Sequence, residues 1–249
     1  MPSIIQANIN MSNWQERTQL LLGDQKLKNL KNSHVLIVGL GGVGAYAAEQ
    51  IVRAGVGEVT IVDGDMVSHS NRNRQMAALV STVGQPKAEI MEARLLDINP
   101  ELKITSINEY IKDERMEELL QHPYDYVVDA IDTLAPKIFL LFHCQQNGLR
   151  VASSMGAGGK TDPSQVQIAD IAKSYNDKLA RILRKRLHRM GVYSGIKVVF
   201  SPEVVDESAV ILTEGEQNKK TTVGTISYMP AIFGNFISSI VIRDLMADS

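Results

Sequence analysis

A glycine-rich stretch near the N-terminus has the composition of a phosphate-binding loop. It follows an apolar run, precedes a pattern of helical spacing and contains four glycines, Gly39, Gly41, Gly42 and Gly44. Such glycines allow a tight turn that brings backbone N–H groups close to a phosphate, and the following helix N-terminus adds partial positive charge. Asp63 ends the next apolar run, where a carboxylate can bind ribose hydroxyls. The pattern predicts nucleotide binding and leaves NAD, FAD and ATP open.

Amides and guanidinium groups are concentrated just after this acid. A second carboxylate, Asp65, is followed by four polar side chains, Asn71, Arg72, Asn73 and Arg74. Guanidinium forks match phosphate geometry. Lys87 opposes the dipole at the start of a predicted helix, a mild cost that is offset if the ammonium faces an anion. A dinucleotide dehydrogenase has no need for this cluster, so phosphate contact is favoured over the alternative of a solvated loop.

Short apolar runs alternate with segments of helical length through the first half of the chain. The runs lie at 35–38, 59–62, 102–107, 126–128 and from 151 onward, and the predicted helices at 43–53, 86–98, 113–121 and 136–147. Apolar runs without polar alternation suit strands that are buried on both faces. The order predicts an α/β fold with a Rossmann-like, mostly parallel sheet and helices on both faces. Asp129 and Asp132 follow the fourth run, at the sheet edge where ligands bind and an acid can hold Mg²⁺.

The second half is predicted to extend the same domain with antiparallel strands and a C-terminal helix. We expect one domain over 1–249, with a helical arm at 1–32, a nucleotide-binding core at 33–155 and an extension at 156–249. The extension has predicted strands at 166–171 and 197–200 and a basic helix at 177–190. The uncharged stretch 221–242 is long enough to span a bilayer, but its polar residues favour a buried helix.

Charge is distributed unevenly along the chain. The net charge is -2, yet residues 173–189 hold seven basic residues and one acidic residue, a local +6 that leaves -8 elsewhere. A basic patch on an acidic protein indicates a polyanionic partner, with a solvated helix face as the alternative. The candidate contacts are Lys160, Lys178, Arg181, Arg184, Lys185, Arg186 and Arg189.

Cys144 is the single cysteine of the chain. One cysteine excludes an intramolecular disulfide and a four-cysteine zinc site, and it is compatible with a reducing compartment. Its apolar surroundings in the sequence predict a packing residue and not a nucleophile. The N-terminus lacks the basic and apolar regions of a signal peptide, so we expect a cytoplasmic protein.

The first half resembles the adenylating domain of the ubiquitin-activating-enzyme superfamily, including its ThiF-like sulfur-carrier activators. The matching motifs are GLGGVG (39–44), IVDGD (61–65), SNRNRQ (70–75), VGQPK (83–87), INP (98–100) and VVDAIDT (127–133). Members bind ATP with magnesium, join a carboxylate to its α-phosphate, and release pyrophosphate. The resemblance therefore implies ATP and Mg²⁺ as cofactors, without zinc because the chain has no Cys-x-x-Cys pair.

The resemblance also implies residue roles. The glycines would contact the nucleotide, Asp63 and Asp65 would lie at its ribose side, and Asp132 would assist the metal or the phosphates. The phosphate contacts would be Asn71, Asn73, Arg74 and Lys87. Arg17 looks like an arginine that reaches across a homodimer to the partner subunit's ATP. Arg72 replaces the family's usual apolar residue, and its role stays open.

The second half resembles the tRNA threonylcarbamoyladenosine dehydratases. The motifs are SSMGAGGK (153–160), DP (162–163), LA (179–180), GIKVVFS (195–201) and GTIS (224–227), with a departure from an Asp-Pro pair at 176–178. This resemblance implies ATP-dependent cyclisation of threonylcarbamoyladenosine in tRNA through a carboxyl-adenylate. It leaves room for a monovalent cation and a sulfur-transfer protein partner. The alternatives are adenylation of the C-terminus of a ubiquitin-like sulfur carrier, an NAD-dependent dehydrogenase, and a nucleotide-gated scaffold.

Overall fold

A computed structural model describes residues 14–212 and 221–247 of the chain. Its α-helices are α1 (Glu16–Leu22), α2 (Asp24–Asn32), α3 (Gly44–Ala54), α4 (Lys87–Ile98), α5 (Asp113–Leu120), α6 (Leu134–Gln146), α7 (Lys178–Arg189) and α8 (Tyr228–Ala247). Its strands are β1 (His34–Val38), β2 (Glu58–Val62), β3 (Lys103–Ile107), β4 (Tyr126–Asp129), β5 (Val151–Ser154), β6 (Gln167–Asp170), β7 (Lys197–Phe200), β8 (Val210–Leu212) and β9 (Thr221–Val223).

Seven of these strands form one sheet in the order β3-β2-β1-β4-β5-β7-β6. All neighbouring strands run parallel except β6, which is antiparallel to β7. The predicted mostly parallel, Rossmann-like sheet is thereby confirmed. The strand order reverses between β1 and β4, and ligands of such sheets bind at the carboxyl ends of the strands next to this reversal.

Two apolar layers cover the two faces of the sheet. On one face α3, α4 and α8 pack their buried side chains against the strands, with Ile51 and Phe233 at the contact. On the other face α5, α6 and α7 bury residues such as Leu140 and Leu183. The central strands β1, β2, β4 and β5 lie between these layers and are mostly buried, as their apolar sequences predict, whereas the edge strands β3 and β6 are only partly buried.

The C-terminal helix α8 is a core element along much of its length. It is the one helix in the described residues that is long and apolar enough to cross a membrane, and half of its most apolar window is buried inside the protein. Gly234 lets the backbone of α3 approach closely, because a Cβ there would lie 2.5 Å from the Val43 carbonyl oxygen. Near its end, Asp244 accepts hydrogen bonds from Tyr126 (2.8 Å) and Lys197 (2.6 Å).

The prediction of one buried helix over the uncharged stretch 221–242 is wrong at its N-terminal end. Residues 221–223 form β9, which pairs with β8 in a separate two-stranded sheet, and the helix begins only at Tyr228. Two threonines and a valine favour an extended backbone, and Gly224 follows them as a helix breaker. Within the predicted arm 1–32, residues 1–13 lie outside the described residues, and the remainder forms α1 and α2.

Candidate nucleotide-binding site

The glycine-rich loop between β1 and α3 is wound too tightly for side chains at two positions. Gly39 has φ +92°, and a Cβ there would lie 2.7 Å from the Ala130 carbonyl oxygen. A Cβ at Gly44 would lie 1.7 Å from the Gly39 carbonyl oxygen. These two glycines are therefore required by the turn itself, whereas Gly41 has only the Gln75 amide within 4 Å. The turn leaves its backbone at the carboxyl end of β1, as a phosphate-binding loop requires.

Asp63 joins this loop to the segment after β2. Its two carboxylate oxygens accept hydrogen bonds from the Leu40 N–H (2.6 Å) and the Asp65 N–H (2.7 Å). Burial raises the pKa of Asp63, while the positive charge of Lys87 and these hydrogen bonds oppose the rise. Each carboxylate oxygen has a second lone pair, so the ribose contact predicted for Asp63 is compatible with both bonds.

The predicted phosphate residue Lys87 is buried and paired with a carboxylate in this structure. Its side chain is 4% exposed, and Nζ lies 2.6 Å from Asp65 Oδ2. The Tyr110 hydroxyl donates to the other oxygen of Asp65 at 2.5 Å, which raises the pKa of Tyr110 to about 12. Sequence reasoning missed Tyr110, although an aromatic residue just beyond β3 at the carboxyl edge was a usable signal. The lysine has two further N–H donors for a phosphate.

The amide and guanidinium cluster is organised by its own hydrogen bonds. Asn71 accepts from the Ser68 N–H at 3.0 Å, and Arg74 donates to the Asn73 side chain at 2.9 Å. Asn73 in turn donates to the Thr225 carbonyl oxygen at 2.9 Å. The amides predicted to contact phosphates therefore also hold the turn in place and fix the direction of Arg74. Arg72 is exposed.

A buried ion pair holds the loop that carries Asp132. Asp129 and Lys137 are fully buried and 2.7 Å apart, and the Ser153 hydroxyl donates to the same carboxylate at 2.6 Å. The carboxylate also accepts from the Ile131 N–H, and Lys137 donates to the Ile131 carbonyl oxygen, both at 3.1 Å. The pair thus forms hydrogen bonds with both the N–H and the carbonyl oxygen of Ile131, the residue before Asp132. Sequence reasoning missed Lys137, although a lysine amid apolar helix residues was the signal.

Asp132 itself is exposed at the carboxyl edge of the sheet. Among the described residues there is no group of three or more His, Cys, Asp or Glu side chains that could hold a metal ion. Mg²⁺ is commonly held by one or two carboxylates together with substrate phosphates. A single carboxylate at this position therefore fits an ion that arrives with ATP.

Two other predicted features lie away from this edge. Arg17 is exposed on α1, and its reach to a partner subunit stays a prediction. Cys144 is fully buried in α6, and burial raises the pKa of its thiol. A thiol that is buried and protonated is a packing group and not a nucleophile.

The basic helix α7 packs one face on the domain and presents the other. Leu183 and Leu187 are buried, whereas a groove of about 540 Å³ is lined by Arg181, Ile182, Lys185, Arg186 and Arg189. Lys178 is also exposed. The side chain of Asp177 begins the helix by accepting a hydrogen bond from the Ala180 N–H at 2.8 Å. These cations are exposed to solvent, and the polyanion contact predicted for them stays a prediction.

Two predicted polyanion contacts do not agree with the structure. Lys160 is buried, and its ammonium donates to the carbonyl oxygens of Ser201 (3.0 Å) and Glu203. Arg184 is half-buried and donates to the Ser174 hydroxyl and the Ile171 carbonyl oxygen. Both cations serve backbone and hydroxyl acceptors of the same chain, so neither presents its charge as the sequence pattern suggested.

The sheet, glycine loop and acid–lysine pairs define a nucleotide-binding α/β protein of the adenylating class. The sequence model of the ThiF family matches residues 14–248, and the chain belongs to the ThiF family. The tRNA threonylcarbamoyladenosine dehydratase of Bacillus subtilis is 39% identical over 243 residues, covering 93% of this chain and 94% of that protein. The molybdopterin-synthase adenylyltransferase of Escherichia coli is 44% identical over 106 residues, covering 43% of this chain and 42% of that protein.

A solved structure resembles nearly the whole chain. The crystal structure of Escherichia coli tRNA N6-threonylcarbamoyladenosine dehydratase, TcdA, in complex with ATP, superposes with a TM-score of 0.85. It is 35% identical, and the match covers 94% of this chain and 95% of that one. The similarity therefore extends beyond the nucleotide-binding half.

The buried Asp129–Lys137 pair gives a stability prediction. Lys137→Met should lower the free energy of unfolding by about 3–5 kcal/mol, because it leaves an unpaired buried carboxylate. Urea unfolding measures this loss. The exposed Lys112→Met should change it by less than about 0.5 kcal/mol. Adding Asp129→Asn to Lys137→Met should recover part of the lost stability. A loss below about 1 kcal/mol for Lys137→Met alone would contradict the role of the ion pair in stabilising this loop.

Proposed function

We propose that this protein catalyses the ATP-dependent cyclisation of threonylcarbamoyladenosine in tRNA, through a carboxyl-adenylate. One juxtaposition carries the proposal. The adenylating site lies at the carboxyl edge of the sheet, and the exposed basic helix α7 begins at the same edge, where Asp177 accepts a hydrogen bond from the backbone of Gly156 just after β5. An adenylating site beside a basic, polyanion-binding surface suits a carboxylate that is carried by a nucleic acid.

The first step forms the adenylate. A carboxylate oxygen of the threonylcarbamoyl group attacks the α-phosphorus of ATP, and the bond to pyrophosphate breaks. Arg74 and Lys87 stabilise the negative charge that develops on the phosphates. Lys87 can do so without leaving Asp65, because the bond to that carboxylate uses only one of the three N–H donors of the lysine. Asp132 would hold the Mg²⁺ of the nucleotide, which neutralises phosphate charge.

The second step closes a ring within the substrate. The carbamoyl nitrogen or oxygen attacks the activated carbonyl carbon, and AMP leaves with one of the original carboxylate oxygens. The nucleoside loses one water in total, while ATP becomes AMP and pyrophosphate. A nucleophile within the same side chain has a high effective molarity. The enzyme therefore needs no thioester, which agrees with a buried Cys144.

The other expectations extend this proposal. A homodimer would let Arg17 of one subunit reach the ATP of the other, and the reaction would take place in the cytoplasm. A bound monovalent cation and a sulfur-transfer partner stay predictions. The sulfur-carrier alternative is supported by the adenylyltransferase likeness, but that likeness covers 43% of this chain. Adenylation of a sulfur-carrier protein would also leave the exposed cations of α7 without a function.

Mass spectrometry of nucleosides from modified tRNA tests the reaction. With wild-type enzyme and ATP, threonylcarbamoyladenosine should lose the mass of one water. Lys87→Ala and Arg74→Ala should each lower the rate about 10²–10³-fold, as expected when one donor to transition-state charge is removed. The exposed Lys112→Ala should retain the wild-type rate. An unchanged nucleoside with the wild-type protein would refute the proposal, and full activity of Lys87→Ala would remove that residue from the site.

The outward face of α7 is tested by the salt dependence of tRNA binding. Lys185→Glu/Arg186→Glu should weaken binding and reduce the slope of log affinity against log salt by about 0.7–0.9 for each phosphate that the helix no longer neutralises. The control is Lys26→Glu/Lys28→Glu, which makes the same change of charge on exposed α2 residues. An equal effect of both pairs would mean that net charge alone matters, and would contradict a tRNA contact at α7.

A further inference from the structure

A tyrosine projects from the turn that precedes the basic helix. Ser174 and Asp177 are both buried, whereas Tyr175 between them is 49% exposed. The Ser174 hydroxyl donates to the Ile171 carbonyl oxygen at 2.7 Å and accepts from Arg184. The turn is thus anchored on both sides of the tyrosine, and Arg184 is one of its supports.

The ring of Tyr175 is held in one orientation. Its hydroxyl accepts a hydrogen bond from the Gln167 amide at 3.2 Å. The ring meets Phe200 at an interplanar angle of 74°, with centroids 5.6 Å apart. Part of the ring is covered by these contacts and the rest faces solvent. An aromatic side chain that is already oriented loses little conformational entropy when a partner stacks on it.

The ring lies at the same edge of the sheet as the proposed active site. Phe200 is the last residue of β7 and Gln167 the first of β6, so both lie at the carboxyl edge of the sheet. Along that edge β7 is two strands from β4, a distance of about 10 Å at ordinary strand spacing. Exposed Lys173 and Lys178 lie on either side of Tyr175 in the chain.

We propose that Tyr175 stacks on an unpaired base of the tRNA, next to the modified adenosine, while the flanking lysines contact the phosphates. The proposal rests on the function proposed above and names the part of the tRNA that the surface takes. Unpaired RNA bases are commonly bound by aromatic rings beside cations. Arg184 then acts as a positioning residue, which keeps the turn and the ring in place.

Equilibrium binding of purified tRNA, without ATP, tests the stacking contact. Tyr175→Leu keeps apolar volume but loses the planar ring, and should weaken binding about tenfold or more. Tyr175→Phe keeps the ring and should bind within about twofold of wild type. The salt slope should stay unchanged in both, because neither removes a phosphate contact. The control is Tyr193→Leu, which removes another exposed tyrosine, 64% exposed and beyond the opposite end of α7.

The outcomes separate stacking from a structural role and from failure of the proposed reaction. Wild-type affinity in Tyr175→Leu would overturn the inference. Equal losses in Tyr175→Leu and Tyr175→Phe would also overturn it, because the hydroxyl contact would then be the important one. A loss in Tyr193→Leu as large as that in Tyr175→Leu would do the same. If wild-type protein binds tRNA but removes no water, the dehydratase proposal fails while these comparisons still decide the stacking contact.

Discussion

Two carboxylates on either side of β1 must be satisfied by hydrogen bonds, and much of the site follows from this requirement. A carboxylate taken out of water is costly unless donors surround it. Asp63, after β2, accepts hydrogen bonds from the N–H groups of Leu40 and Asp65. Asp129, at the end of β4, accepts one from the N–H of Ile131. The glycine loop and the Asp132 loop are therefore both tied to the sheet edge, which gives a nucleotide a preorganised surface.

The same edge links this surface to the rest of the domain. The parallel order β4-β5-β7 continues from the nucleotide side to the turn that begins the basic helix. The Lys160 ammonium and the Arg184 guanidinium hold neighbouring segments of that region by donating to carbonyl and hydroxyl oxygens. Charge at the proposed RNA surface thus has two tasks. The exposed cations can contact phosphates. The buried and half-buried cations stabilise the backbone that carries the exposed ones.

Elements with a strong local signal were predictable from sequence, and tertiary partnerships were not. Helix α7 could be placed within one residue, since Asp177 is a good N-cap and the apolar spacing is regular. The seven basic residues, however, look alike in sequence, and only packing separates Arg184 from its exposed neighbours. Tyr110 and Lys137 meet partners 45 and 8 residues away that no local pattern specifies. At 221–223, β-propensity prevailed over the absence of charge that suggested a helix.

In the proposed reaction, the substrate's own carboxylate becomes an adenylate, and a nucleophile of the same side chain then closes the ring. Its most direct test is to label both carboxylate oxygens of the threonylcarbamoyl group in tRNA with ¹⁸O, add the enzyme and ATP, and analyse the released AMP by mass spectrometry. If the carboxylate is adenylated, each AMP formed should carry one ¹⁸O atom in its phosphate, in proportion to the water lost from the nucleoside. AMP without the label, formed together with the cyclic product, would contradict it.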